Sequence, residues 1–270
     1  GLLKIKLGVR QDTLASRRRP EYTEVQRNHP AICISYQKRP EEHKMQYQKI
    51  HPAIFHARPN RFVAQVELDG QTIICHVKNT GRCRELLVPG VTVYLAESEN
   101  PNRKTKYDLI AVEKGSRLIN MDAQAPNQVF GEWVRAGHFV PHLSLLRPET
   151  TYGASRFDFY WEASERRGFV EVKGVTLEED SIVRFPDAPT LRGVKHLEEL
   201  TAARSAGYEA CVCFVVQMEH VAWFEPNDST HPEFGAALRR AAQSGVQVLA
   251  LECRAAPDRL DITGPVEVRL

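Results

Sequence analysis

Ala210-Cys211-Val212-Cys213-Phe214-Val215-Val216-Gln217 is the segment that most restricts the fold. Its apolar content is continuous, so a strand made from it has no polar face to show to water and must be buried on both sides. Residues 190–205, ahead of it, read as a helix with Leu191, Val194, Leu197 and Leu200 on an apolar face and Arg192, Lys195, His196 and Glu199 on a polar one. Gly207 ends that helix. A further helix near Pro232 to Ser244 and a strand from Val246 to Cys253 follow, so strand and helix alternate as in an α/β domain. Earlier in the chain, Pro126-Asn127 opens a helix through Gly137, with Val129, Trp133 and Val134 inward and Glu132 on an adjoining edge.

A different texture precedes this domain. Arg61-Phe62-Val63-Ala64-Gln65-Val66-Glu67-Leu68 leads into Asp69-Gly70, a strong hairpin pair, and Thr72 to Val77 supplies the partner strand. Val91 to Leu95 and Tyr107 to Val112 are further strands, separated by Gly90 and by the basic loop Pro101-Asn102-Arg103-Lys104-Thr105-Lys106. Several short antiparallel strands in roughly sixty residues predict a small barrel of the OB type. Before them, Arg17-Arg18-Arg19-Pro20, Lys38-Arg39-Pro40-Glu41-Glu42 and Gln46-Tyr47-Gln48-Lys49 are polar, proline-broken and without period. The expected organisation is an extension over 1–52, flexible or atypical, an OB-like β-barrel over 53–118, and an α/β domain over 119–270. The class is therefore α+β with an α/β second part.

Bulk properties narrow the function classes. With 36 basic and 34 acidic side chains the formal net charge is only +2, so a polyanion would be held by a local patch and not by a global field. The six cysteines (Cys33, Cys75, Cys83, Cys211, Cys213, Cys253) lack the density of a disulfide scaffold and the Cys-x-x-Cys pairs of structural zinc, and predict reduced thiols. Cys211 and Cys213 face one way on their strand and read as core. No apolar run is long enough to span a membrane, and Gly1-Leu2-Leu3-Lys4-Ile5-Lys6 has no long export-type apolar region behind it. A soluble cytoplasmic protein is expected, with no membrane partner.

The chemistry lies between Arg156 and Lys195. Arg156-Phe157-Asp158-Phe159 ends a short apolar run on an acid, and Phe169-Val170-Glu171-Val172-Lys173-Gly174-Val175 sets an acid and a lysine one residue apart on the next strand. Strand alternation points Glu171 and Lys173 the same way, with Val170 and Val172 toward the core. Magnesium takes oxygen ligands, which Asp158, Glu171 and the main-chain carbonyl of Val172 can supply with water; manganese could replace it. Lys173 beside them could orient a water or offset charge on a phosphodiester. Glu-x-Lys alone is a weak signal, since Glu42-His43-Lys44 fits it in a polar stretch without a strand. The apolar surroundings, the preceding Asp158 strand and the basic helix that follows give it weight. This pattern points to a metal-dependent nuclease centre.

Several segments together carry a family resemblance: Arg58-Pro59-Asn60-Arg61-Phe62, Asn79-Thr80-Gly81-Arg82, Asn102 to Leu109, Tyr152-Gly153 with Ser155 to Phe159, Val170-Glu171-Val172-Lys173, Phe185-Pro186-Asp187-Ala188 with Thr190 and Arg192-Gly193, Lys195-His196-Leu197, and Phe214-Val215-Val216-Gln217. Over about Ile54 to Cys253 the chain resembles the sugar fermentation stimulation protein family, whose carboxy-terminal part is similar to PD-(D/E)XK nucleases. The resemblance implies an OB-like barrel joined to a PD-(D/E)XK nuclease-like domain, with Asp158, Glu171 and Lys173 on catalytic positions. It places Glu132 where many such nucleases carry an acid on the first helix. It also implies DNA binding and a role in regulating sugar, notably maltose, metabolism, which neither composition nor spacing shows. The extension is foreign to the family pattern, as are Cys83 and His231 at positions where methionine and an acid are common.

Other candidates have two readings each. Asp187 is either the cap of the following helix or a site residue. Arg192 and Lys195, three apart, either contact phosphate or form a solvated face. His196 is a proton carrier or a polar bystander, with the bystander favoured. Gln217 reaches the site or marks where its strand meets water. In the barrel, Lys78, Arg82 and Arg84 flank one turn, and Arg103, Lys104 and Lys106 share one loop; with Tyr94 and Tyr107 near, these predict a strand-binding surface for DNA or RNA. Two functions follow as expectations: a magnesium-dependent nuclease, or a non-catalytic DNA-binding regulator on a nuclease scaffold.

Overall fold

The computed structural model describes residues 44–270. Strands β1 (Ile50–Asn60), β2 (Val63–Leu68), β3 (Gln71–Val77), β4 (Thr92–Glu97), β5 (Tyr107–Lys114) and β6 (Arg117–Asn120) form a sheet in the order β3-β2-β1-β4-β5-β6. The β2–β3 hairpin turns at Asp69-Gly70, both at positive φ, which glycine adopts without the clash a Cβ would cause. A parallel pairing of β3 with β5, His76 opposite Asp108 and Val77 opposite Leu109, closes five strands into a barrel. Alternation along β2 sends Ala64, Val66 and Leu68 inward to meet Phe55, Val93, Leu95 and Leu109. This is the OB domain the sequence predicts.

Its first strand starts earlier than expected and lacks a clean pattern, because it contains Pro52 and Pro59 and its register to β2 shifts twice. The reading of residues up to 52 as a flexible extension also fails for their last part. Met45 is buried beside Val129 and Phe130, Gln46 bridges to Arg259, and the Tyr47 amide donates to the Asp258 carbonyl at 2.7 Å. One apolar and one amphipathic side chain anchor a stretch whose neighbours are polar. The arginine cluster at 17–19, Lys38-Arg39 and Cys33 lie outside the described residues.

The second part contains α1 (Ala125–Arg135), β7 (Leu143–Tyr152), β8 (Ser155–Ala163), β9 (Arg166–Val175), β10 (Leu177–Glu179), β11 (Ile182–Phe185), α2 (Leu191–Ser205), β12 (Glu209–Val216), β13 (Trp223–Pro226), α3 (Pro232–Gln243), β14 (Gln247–Ala256) and β15 (Arg259–Pro265). Its main sheet has the order β15-β14-β12-β9-β8-β7, and β10-β11-β13 make a small second one. The apolar run of the sequence is β12, in the middle of the sheet and parallel to both β9 and β14. Cys211, Cys213 and Val215 pack with Val129, Phe130 and Val134 of α1. Ala210, Val212, Phe214 and Val216 pack with Leu197 and Leu200 of α2 and Phe234 and Leu238 of α3. Helices thus cover both faces, which is why β12 needs no polar side.

The five described cysteines are free and buried, and burial pushes the Cys75 and Cys83 thiols up to about 12. Among the described residues no helix is long and apolar enough to cross a membrane.

Candidate functional site

Where β8 and β9 part, the sheet opens. Their last paired residues are Phe159 and Val170. Phe157 and Phe159 should share a face by strand period, yet Phe157 packs in the α2 core and Phe159 in the α1 core. The chain therefore twists about Asp158, whose carboxylate turns toward β9. Asp158 Oδ2 accepts from the Val172 amide at 2.8 Å, and Oδ1 accepts from Asn127 Nδ2 at 2.8 Å. Amide and carbonyl of one strand residue leave by the same edge, so the Val172 carbonyl also faces this opening.

Glu171 and Lys173 share the α2 face of β9, as the alternation predicts. Lys173 Nζ lies 2.5 Å from Glu171 Oε1, and His196 Nδ1 contacts the same oxygen. Glu171 Oε2 is buried without a hydrogen-bond partner. Burial, followed by the charge of Glu171, raises the Asp158 carboxyl above its ordinary value, while the Val172 and Asn127 hydrogen bonds oppose the rise. Burial acts on Glu171 in the same sense, but His196 and Lys173 outweigh it and the net shift is downward. Two carboxylates, near enough for the charge of Glu171 to raise Asp158 and one of them buried with an orphaned oxygen, form a site with spare affinity for positive charge.

That donor set suits a hard cation. Among the described residues no group of three or more His, Cys, Asp or Glu side chains is arranged to hold a metal, which leaves two carboxylates, a carbonyl and water, the ligands magnesium or calcium accept. Glu132 forms no three-residue metal group with Asp158 and Glu171; its Oε2 accepts from the Met45 amide and its Oε1 from Gln128 Nε2, both at 3.0 Å. It shares with Asp158 a cavity of about 500 Å³, lined also by Asn127, Arg135 and Glu149, on the α1 side of the sheet.

The helix reading needs rotation. The buried stripe of α2 is Gly193, His196, Leu197, Leu200 and Ala203, while Leu191 is 82% exposed. His196 is thus no bystander on a solvated face, because α2 lies over the polar end of β9 and its inward side there can carry an imidazole. Arg192 donates to His196 Nε2 at 3.3 Å, and Lys195 is exposed, within 3.8 Å of Glu199. Nor does Asp187 cap the helix. Thr190 does, accepting from the Gly193 amide at 3.0 Å. Asp187 instead reaches the barrel, where its Oδ2 accepts from the Arg82 amide at 3.0 Å. A Cβ on Gly81 would stand 2.6 Å from that same oxygen, so any side chain there would displace the Asp187 carboxylate.

Gln217 does not meet water: it is buried and donates to Asn120 Oδ1 and the Asp122 carbonyl at 2.9 and 3.0 Å. Two barrel cations are also committed elsewhere. Lys78 pairs with buried Asp122 at 2.7 Å, and Arg103 grips Asp108 through both terminal nitrogens at 2.9 and 2.6 Å. Lys106 pairs with Glu97 at 3.2 Å and lies over the Tyr107 ring; Tyr94 is bonded to Glu113. Arg82, Arg84 and Lys104 are exposed, and no ion pair engages them among the described residues. Two residues that sequence reasoning passed over shape the site. Asn127 holds Asp158 and was read only as a helix start; Arg58 donates to the carbonyls of Asn79, Gly81 and Arg82 and so fixes the barrel loop that Asp187 meets.

Comparison with known proteins agrees with this architecture. The family model of the SfsA N-terminal OB domain matches residues 57–121, and that of the sugar fermentation stimulation protein RE domain matches residues 124–259. A sugar fermentation stimulation protein homolog from Desulfitobacterium hafniense (strain Y51) is 57% identical over 226 residues, 84% of this chain and 99% of that one. Its counterpart from Ruminiclostridium cellulolyticum is 54% identical, over 84% of this chain and 100% of its own. The structure of Pyrococcus furiosus SfsA in complex with Ca2+ superposes with a TM-score of 0.77 at 26% identity, covering 85% of this chain and all of that one. With both domains matched and relatives this similar along their whole length, the chain belongs to the sugar fermentation stimulation protein family.

Proposed function

We propose that this chain binds nucleic acid and hydrolyses its phosphodiesters with a divalent cation, Mg2+ or Mn2+, at Asp158 and Glu171. The observation that carries the reading is the buried, unpartnered Glu171 Oε2 next to an Asp158 carboxylate that Glu171 itself perturbs. Lys173 offsets only one of the two negative charges, and a divalent ion would offset what remains. The Ca2+ in the Pyrococcus furiosus relative supports a divalent ion in this fold.

Asp158, Glu171 and the Val172 carbonyl would hold the ion, and Asn127 keeps Asp158 in place. When bound, the ion would polarise a phosphate oxygen and make a water more acidic. Lys173 holds a positive charge beside Glu171, where it can orient a water or offset the charge that builds on the phosphate. The competing reading is a non-catalytic DNA-binding regulator of sugar (maltose) metabolism genes. On its side is the lack, among the described residues, of a third acid or imidazole in a metal-binding arrangement. Against it, a pure binder gains nothing from two buried carboxylates facing a polyanion.

Labelled single- and double-stranded DNA and RNA, incubated with Mg2+ or with EDTA, test the proposal. The wild type should cut at least one of them only with the metal, and Asp158→Ala should lose about 100-fold or more of that rate. Binding without cutting under any divalent ion would transfer the case to the regulator. For the binding surface, Arg84→Ala combined with Lys104→Ala should lower the salt slope of affinity by about 2, one unit for each phosphate contact. Lys78→Ala should leave that slope alone, since Asp122 already neutralises the lysine. An unchanged slope in the double variant would take those two side chains off the contact surface.

A further inference from the structure

Both nitrogens of His196 are engaged, and their partners fix its tautomer. Arg192 donates from Nε to His196 Nε2 at 3.3 Å. At Nδ1 the Glu171 Oε1 acceptor is in close contact while the Lys173 ammonium stands off at 3.5 Å, and at Nε2 the partner is a donor, so the ring proton is assigned to Nδ1 and is donated to Glu171 Oε1. The imidazole is only 5% exposed, and the Phe157 ring meets it edge-on with 6.4 Å between centroids. Lys173 reaches the same carboxylate oxygen, but a lysine stem is flexible and its ammonium sets no plane. Two donors converging on Oε1 leave Oε2 as the open oxygen, which matches its lack of any partner.

We infer that His196 is a positioning residue of the cation site: its Nδ1–H holds the Glu171 carboxylate so that Oε2 is presented to a divalent ion, and Arg192 holds His196 in that tautomer. The inference rests on the reading of Asp158 and Glu171 as cation ligands. Groups that hydrogen-bond behind a metal ligand commonly contribute about 10- to 100-fold in metal affinity. His196 would contribute through the direction it gives to Glu171, without touching substrate.

The test is calorimetric titration of the full chain with Ca2+ alone, without nucleic acid, for the wild type, His196→Leu, His196→Asn and Asp158→Asn. Asparagine places an amide N–H near the position of Nδ1 and keeps the donor; leucine removes it. His196→Leu should weaken Ca2+ binding at least about 10-fold, and His196→Asn should stay within about 3-fold of the wild type. If the leucine variant does not fold, judged by thermal melting in EDTA, His196→Gln replaces it, since its amide extends toward the Nε2 position and misses Glu171. Wild-type affinity in the leucine or glutamine variant, or equal weakness in the asparagine one, would overturn the inference. If Asp158→Asn loses Ca2+ while His196→Leu or His196→Gln keeps it, the inference alone falls. No Ca2+ binding by the wild type would remove the cation reading and the inference together.

Discussion

Lys173→Ala is expected to lower cleavage about 1,000-fold while nucleic-acid affinity stays within a few fold. Loss of a fixed charge beside the reacting group commonly costs about 100- to 1,000-fold, and Lys173 has a second task. It is only 16% exposed and 2.5 Å from Glu171 Oε1, so it helps Glu171 stay ionised against the burial that opposes it. Lys173→Arg should not restore activity, because a planar fork does not match the single Glu171 oxygen it would meet. Affinity should survive because Arg82, Arg84 and Lys104, exposed and held in no ion pair among the described residues, lie on the barrel. Single-turnover cleavage beside equilibrium binding decides the matter. A rate within 10-fold of the wild type, or parallel loss of rate and affinity, would take Lys173 out of the chemistry.

Glu171 and Lys173 were legible because strand alternation survives along β9: Phe169 and Val175 share their face, Val170 and Val172 the other. β12 was legible for the opposite reason, as a run with no polar face at all. His196 was not, since helical period in the sequence assumes that the inward stripe is apolar, and α2 buries part of its stripe over a polar cleft. The same bias made Leu191 look like core. Asp158 could be named but not oriented, because the twist that sends Phe157 and Phe159 to opposite faces leaves no mark on a local pattern. Among the basic residues, Lys78 and Arg103 read like Lys104 in sequence; what separates them is an aspartate at 122 or at 108, and only folding supplies the first. Short strands such as β10 and β13 depend on pairing with each other through β11, and so carry little signal of their own.

Asp122 illustrates how that separation matters for stability. Its carboxylate is 2% exposed and accepts from Lys78 Nζ at 2.7 Å, from the Tyr47 hydroxyl at 3.1 Å and from the Gln124 amide at 2.9 Å. Burial, and then the charge of Asp122, push the Tyr47 hydroxyl up, so it remains a donor. Asn120 donates to that hydroxyl at 3.1 Å and receives Gln217, so one polar network ties the 44–49 segment and β6, the strand that extends the barrel sheet, to the end of β12. Asp122→Ala orphans three donors at once, one of them a partly buried ammonium, and should cost about 3 kcal/mol in urea unfolding. Adding Lys78→Met to Asp122→Ala should recover part of that loss, because an apolar side chain needs no partner where an ammonium does. A cost under about 1 kcal/mol, or a double variant no more stable than the single one, would mean that water reaches Lys78 freely and that the network does not fasten the barrel to the sheet.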